Sequence, residues 1–356
     1  MSEVRGDTML DDEDDMVPSP EISYVSDTEP GISRRRSGRG FTYLYPDGTK
    51  VSDSAEIERI RKLVIPPAYS QVWISIDPNS HLQATGRDAR GRKQYRYHPA
   101  WSASRDEAKF DTLFSFASAL PKIRESIDRD LRLRKPGLDK VTASVVWLLD
   151  NLLIRVGNAT YARDNGSYGL TTLRNKHLTI EGGTLHFHFK GKSGKEWKLR
   201  HNDRRITRAI SSIQELPGQQ LFQYLDDDGK RHAVTSNDVN AYIREASGDA
   251  FTSRQFRTWG ATKHAATAFA SLTLPETKRE KLLAVNSVID QVAARLVNTR
   301  SVCRKSYIHP RVFTDFEAGL LADAMKKPPN DSAATDWFSD EEARVYAWLE
   351  STASGR

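Results

Sequence analysis

The spacing of apolar residues changes along the chain and divides it into regions. Residues 1–38 carry no period: they are acidic, then rich in Ser, Pro and Gly, and close on Arg34, Arg35 and Arg36. That pattern predicts a disordered acidic tail, with order beginning near Phe41. From there apolar and polar residues alternate in short runs. FTYLYPDGTKV (41–51) surrounds a Pro-Asp-Gly turn, and VWISIDP (72–78) and HLQATGRDARGRKQYRYH (81–98) continue as strands with tight glycine turns. Residues 39–103 read as a small β-rich domain.

Beyond Ser104 the period becomes helical. DEAKFDTLFSFASALPKIRESIDRDLRL (106–133) predicts two helices broken at Pro121, and LDKVTASVVWLLDNLLIRV (138–156) predicts an apolar core helix. The Gly157-Asn158 stop places Arg155 in its last turn. GLTTL (169–173), KHLTIE (176–181), TLHFHFK (184–190) and KEWKLR (195–200) read as strands, the last two joined by Gly-Lys-Ser-Gly. Everything after that reads as helix, ending in the capped amphipathic segment 336–351. The expected fold is α+β: a β-rich N-terminal domain, then a mostly helical domain at 104–330 with a small antiparallel sheet, then a C-terminal helix within 331–356.

Composition narrows the class. The 356 residues are 38% hydrophobic with mean hydropathy −0.60, enough for packed cores. No apolar run reaches the ~20 residues of a membrane-spanning helix, so no membrane partner is expected. The lone cysteine, Cys303, cannot close an internal disulfide, which suits a reducing cytoplasm. It reads as a small buried hydrophobe. Net charge is +6, yet residues 1–30 hold ten acids and one base, a balance of −9. The remainder is therefore +15 (6 + 9). A body this basic fits a polyanion, most simply nucleic acid, and the acidic tail could weakly shield it.

Four positions carry candidate chemistry. Tyr307 lies in NTRSVCRKSYIHP, close to Arg300, Arg304 and Lys305. A phenol titrating near pH 10 is a weak nucleophile until nearby cations favour its ionised form, and those cations would also attract a phosphate. The alternative is an ordinary packed aromatic. Arg155 follows an apolar helix, where a buried guanidinium stays charged and needs a partner; a structural ion pair with Asp150 or Asp164 is the plainer reading. Lys192 sits in a turn, either exposed and idle or brought close to a neighbour by its flanking glycines. Arg257 lies early in an Ala-rich helix, beside Trp259, which reads as core. Two guanidiniums, an ammonium and a phenol suit phosphoryl transfer, where charge develops on non-bridging oxygens. His186 and His188 share a strand face without an evident third ligand, and neither a metal nor a nucleotide-binding loop is expected.

Taken in order, GRKQYRYHP, LLIRVGNATY, GLTTLRNKH, FKGKSGKE, FRTWGAT and VCRKSYIHP resemble the motifs of type IB DNA topoisomerases of the bacterial, poxvirus-like branch. The resemblance spans about residues 40–325. It implies two domains that close as a C-shaped clamp on duplex DNA, a monomeric nucleoid-associated enzyme, and no cofactor. It assigns Tyr307 as nucleophile, Lys192 as general acid, and Arg155 and Arg257 as phosphate ligands. Where poxviral and eukaryotic relatives have His, this chain has Asn298, which donates a hydrogen bond but cannot become cationic. The resemblance also implies DNA contacts from Gln94, Tyr95, Arg96 and Tyr97 in the major groove, and from Tyr161, Arg174 and Lys176. A tyrosine recombinase shares the Arg–Lys–Arg–Tyr logic but places His three residues before the second Arg. Here that residue is Arg254, basic as in topoisomerases. A non-catalytic DNA-binding protein is the remaining alternative.

Overall fold

A computed structural model describes residues 22–328 and 336–353, without the side chains of residues 103–108, 161, 164, 352 and 353. The architecture is mixed, helices with small antiparallel sheets. It packs as two units, Met1–Lys109 and Phe110–Arg356.

The first unit contains β1 (Ile32–Ser37), β2 (Gly40–Leu44), α1 (Ser54–Lys62), β3 (Ser70–Ile74), β4 (Leu82–Arg87) and β5 (Lys93–Tyr97). Helix α2 (Pro99–Asp111) follows and runs across the division. The five strands form one sheet in the order β2-β1-β3-β4-β5, so β5 is an edge. Cross-strand partners share a face, which sorts the side chains. Ile32, Ile74 and Ala84 pair in sequence across three strands and are buried with Ile60 of α1. Ser33, Trp73, Thr85 and Tyr95 pair across the opposite face.

Residues 1–21 of the expected disordered tail lie outside the described residues, and the rest departs from that reading, because Ile32–Ser37 is an inner strand. Its Arg34 guanidinium donates to the carbonyls of Ile65, Pro66 and Tyr69 at 3.2, 3.0 and 2.7 Å. One buried isoleucine and the backbone ladder suffice for a strand whose composition looks solvated. Helix α1 was not anticipated; Asp53 caps its N-terminus, and its nine residues bury only Ile60 completely.

The second unit begins with α3 (Leu113–Leu131), α4 (Leu138–Leu152) and α5 (Ala159–Asn165). A three-stranded sheet of β6 (Leu178–Glu181), β7 (Thr184–Lys190) and β8 (Glu196–Asn202) follows, in that order. Next come α6 (Arg204–Gln214), the hairpin β9 (Gln223–Leu225) and β10 (Arg231–Ala233), α7 (Ser236–Ser247) and α8 (Ser253–Ala270). The described chain ends with α9 (Lys278–Leu296), α10 (Arg300–Ser306), α11 (Pro310–Glu317), α12 (Leu321–Ala324) and α13 (Asp340–Ala353). Helix α4 is the centre of the core, buried at every position from Lys140 to Leu149.

Several boundaries differ from expectation. Pro121 does not break α3; the break is at Thr112. Losing a hydrogen bond at an interior proline costs about 3 kcal/mol. Burying Phe116, Leu120, Ile123 and Ile127, at roughly 1.5–3 kcal/mol each, exceeds that. Residues 170–172 form a 3-10 turn rather than a strand, as do residues 175–177 before β6. The β9–β10 hairpin interrupts what reads as continuous helix. Helix α13 joins the second unit's core through Val345, Trp348 and Leu349. Its buried Glu342 accepts from Arg124 of α3 at 2.8 and 2.9 Å and from Lys263 of α8 at 3.0 Å. Asp150, a possible partner for Arg155, is held by Arg124 instead, at 2.8 Å. Among the described residues no helix is long and apolar enough to cross a membrane.

Candidate active site

Helix α4 stops earlier than its apolar run. Leu153 takes a left-handed conformation (φ 55°) and ends the helix, so Arg155 lies beyond it on irregular chain rather than in its last turn. Main-chain bonds hold that segment: Leu170 N–H donates to Arg155 O at 2.9 Å and Thr171 N–H to Val156 O at 2.7 Å. The approach requires glycine, because a Cβ on Gly169 would stand 2.5 Å from Gly157 Cα. This contact explains GLTTL better than a strand does.

Helix α8 delivers Arg257 from its second turn, 3% exposed. The guanidinium donates to Leu153 O and, at 3.0 Å, to Leu296 O. Both carbonyls lie at helix C-termini, where partial negative charge accumulates. Helix α9 also ends on a left-handed non-glycine residue, Val297 (φ 51°). Such backbone costs of order 1–3 kcal/mol and persists only when its surroundings over-determine it. Here it aims two carbonyls at one cation and turns the chain into Asn298. The approach of α8 to Leu153 also leaves no room for a side chain at position 260. A Cβ on Gly260 would stand 2.5 Å from Leu153 Cδ2.

Asn298 meets Arg155, whose Nη2 donates to Oδ1 at 3.2 Å. Arginine only donates, so the facing amide atom is the oxygen and Nδ2 is turned elsewhere. That Nδ2 is buried without a hydrogen-bond partner, as is Arg257 Nε. Buried donors are rarely left so, and two at one site mark a place for an anionic acceptor.

Tyr307 closes α10. Both guanidiniums lie against its ring, Arg257 Cζ at 5.0 Å and Arg155 Cζ at 5.8 Å from the centroid. Burial is the largest influence on the phenol and raises its pKa. The charges and hydrogen bonds of Arg155 and Arg257 oppose it, and the net shift is downward. The cations beside Tyr307 in sequence have other contacts. Arg300 pairs with Asp290 at 2.5 Å, and Arg304 stacks on Phe313 at 4.7 Å. Arg257, lowered to about 10 mainly by burial, also senses Tyr307 and Arg155.

Lys192 is exposed in the β7–β8 turn, whose next residue, Ser193, is again left-handed (φ 64°). Its pKa is lowered first by desolvation of the ammonium, then by the charges of Arg155 and Arg257, with Tyr307 opposing. The turn therefore brings Lys192 into the electrostatic neighbourhood of the other three. Cys303 is buried and its thiol pKa is raised by that burial, in line with a packing role. His188 is engaged across the hairpin by Glu196 at 2.7 Å.

Sequence reasoning missed Thr262. Fully buried on α8, its hydroxyl donates to Tyr307 O at 3.2 Å and accepts from His309 N–H at 3.1 Å. One helix thus positions both Arg257 and the backbone that carries the phenol. Thr262→Val leaves a buried donor and acceptor unmet, a loss of about 1–3 kcal/mol in stability. If the phenol is a reacting group, loosening it should slow that reaction roughly 10- to 100-fold. Thr262→Ser should restore both, as measured by thermal melts and single-turnover kinetics.

The remaining candidates lie elsewhere. Gln94 and Arg96 project from edge strand β5 on one side, and Tyr95 and Tyr97 on the other. The two tyrosine rings stack at 6.0 Å, and Tyr97 is 39% exposed rather than core. Gln94 donates to Asp88 and Arg96 to Val64 O. Arg174 and Lys176 are exposed at the 3-10 turn before β6, and Arg254 in the first turn of α8. Tyr161 falls on α5, but its side chain lies outside the described residues.

A phenol whose pKa two guanidiniums lower, with a lysine in their electrostatic reach and two buried donors without partners, is an arrangement suited to phosphoryl chemistry. The family described as eukaryotic DNA topoisomerase I, catalytic core, matches residues 93–327, and the bacterial DNA topoisomerase IB N-terminal domain matches residues 40–88. DNA topoisomerase 1B of Acanthamoeba polyphaga mimivirus is 37% identical over 285 residues, covering 78% of this chain and 85% of that protein. DNA topoisomerase I of Monkeypox virus is 24% identical over 267 residues, covering 74% and 81%. The chain belongs to the type IB DNA topoisomerase family, whose members are isomerases.

Proposed function

We propose that this enzyme relaxes supercoiled duplex DNA through a covalent tyrosyl intermediate. The Tyr307 oxygen attacks a backbone phosphorus, forming a 3′-phosphotyrosyl bond as the bond to the 5′-oxygen breaks. Lys192 passes a proton to that leaving oxygen. Arg155, Arg257 and Asn298 hold the non-bridging oxygens as negative charge grows there. The phosphodiester energy is kept in the new bond, so the 5′-hydroxyl reverses the step after the duplex has swivelled. No ATP or metal enters this sequence.

The observation that carries the reading is the pair of unfilled buried donors, Asn298 Nδ2 and Arg257 Nε, beside the Arg155–Tyr307–Arg257 cluster. Asn298 supplies a neutral hydrogen bond in place of the relatives' histidine. Duplex contacts come from β5, whose residues project to both sides of a sheet edge. A major groove about 12 Å wide admits such an edge. Arg174, Lys176, Arg254 and Tyr161 act on the backbone. The clamp and the monomeric state belong to the same reading. The family assignment and Arg254 favour it over a recombinase, and the assembled site favours it over a non-catalytic binder.

The test is supercoiled plasmid with enzyme, EDTA and no ATP. Relaxation is expected, with protein linked to the 3′ ends of nicks trapped by detergent. Linkage to 5′ ends, or a requirement for a divalent cation, would overturn the mechanism. Joint molecules between two plasmids would point to recombination.

A further inference from the structure

The sheet face opposite α1 is already covered, and its cover is acidic. Residues 23–31 lie along it, outside the residues matched by either family. The segment is anchored at one end by backbone: Ser23 N–H donates to Asn79 O at 3.1 Å, and His81 N–H donates to Ser23 O at 2.8 Å. Tyr24 packs on His81 at 4.8 Å and meets Trp101 edge-on at 5.3 Å. At the other end Trp73 Nε1 donates to Glu29 O at 2.9 Å.

Between the anchors Asp27 reaches down to the sheet. One carboxylate oxygen accepts from the Thr85 hydroxyl at 2.9 Å and pairs with Lys93 Nζ at 2.5 Å. Thr85 is the cross-strand partner of Tyr95, and Lys93 Nζ lies 5.4 Å from the Tyr95 ring. An anionic oxygen held by an ammonium and a hydroxyl beside an aromatic edge is what a backbone phosphate would be offered at the same spot. The sequence leading into Ser23 adds charge of the same sign. Residues 1–21 contain eight acids and one base, a balance of −7.

We propose that residues 23–30 form a self-docked acidic strap that competes with duplex DNA for the Thr85–Lys93–Tyr95–Tyr97 face, and that DNA must displace it to engage there. This rests on the reading of β5 as a DNA-contacting strand. The magnitudes allow it. The Asp27 side chain is 17% exposed and Lys93 33%. A single pair so near the surface holds weakly, whereas a duplex brings several phosphates and releases counterions. The strap therefore lowers affinity without blocking it, most for short or loosely held duplexes, and less at high salt.

Removing residues 1–38 is not a clean test, because it deletes β1. Asp27→Asn keeps the shape and removes the charge. It should tighten binding of a short duplex about two- to fivefold at low salt, with the difference vanishing at high salt and in a Lys93→Gln background. Unchanged or weaker binding at wild-type melting temperature overturns the proposal. Hydrogen exchange on the wild-type protein avoids any variant. Adding duplex should speed exchange at the Ser23, Val25 and His81 amides, which bond within the anchor. Slower or unaltered exchange in a protein that binds and relaxes DNA sinks the strap alone. A protein that neither binds nor relaxes DNA sinks the reading beneath it.

Discussion

Tyr307→Phe abolishes plasmid relaxation and leaves duplex binding within about twofold of the parent. The substitution removes one oxygen and keeps the ring on which Arg155 and Arg257 rest. Loss of a nucleophile costs on the order of 10⁴-fold or more in rate when no surrogate exists. On the proposed reading binding rests on phosphate contacts from the cationic side chains, so affinity should keep its steep salt dependence, with a slope of about −0.9 per phosphate neutralised. Gel shifts and relaxation on the same preparation separate the two effects. A Phe variant that still relaxes plasmid would remove Tyr307 from the mechanism.

Lys192→Ala slows cleavage of ordinary DNA roughly 10²- to 10⁴-fold, the usual worth of general acid catalysis. On a duplex whose scissile 5′-bridging oxygen is replaced by sulfur, most of that deficit disappears, because a thiolate leaves without a proton. Arg155→Ala and Arg257→Ala lose about 10²- to 10³-fold by analogy with oxyanion donors, and sulfur rescues them less. The pH profile supplies a second readout. Lys192 must hold its proton to act, so cleavage falls as pH rises through its pKa, which the site holds below the ordinary lysine value. Tyr307 must lose its proton, so cleavage falls as pH drops below its own lowered pKa. Lys192→Ala should therefore erase the alkaline limb and keep the acidic one. An equal deficit on oxygen and sulfur substrates would return Lys192 to phosphate binding or to an idle turn.

The residues of the site were legible before the fold because chemistry constrains residue type. A phenol, two guanidiniums and a turn lysine stand out against their surroundings, and six motifs in register leave few families. What surrounds them was less legible. Arg155 seemed to sit in a helix because its apolar run continues to Val156. A run reports burial, and the irregular chain at Leu153 and Ile154 is as buried as the helix before it. The tail reads as disordered through residue 38 because composition counts side chains, while β1 is held largely by backbone bonds and by one arginine aimed at three carbonyls. Thr262 gave no signal, since a threonine in a helix resembles any other until its hydroxyl is seen between two backbone groups.

Asn298 was offered only by the family resemblance; by itself the sequence determined the basic body, the core helix α4, most strands of the two main sheets, and four of the residues put forward for phosphoryl transfer. Those follow from local period, charge and side-chain chemistry. Only the tertiary structure decided which cations act on the phenol: Arg155 and Arg257, distant in sequence, rather than the neighbouring Arg300 and Arg304. It also decided that the helix-end carbonyls of Leu153 and Leu296 hold Arg257, and that Asp27 lies on Lys93. Each of these depends on two segments far apart in the chain meeting within a few ångströms. Electrostatic and hydrogen-bond energies fall off over that same distance, and a linear pattern does not record it.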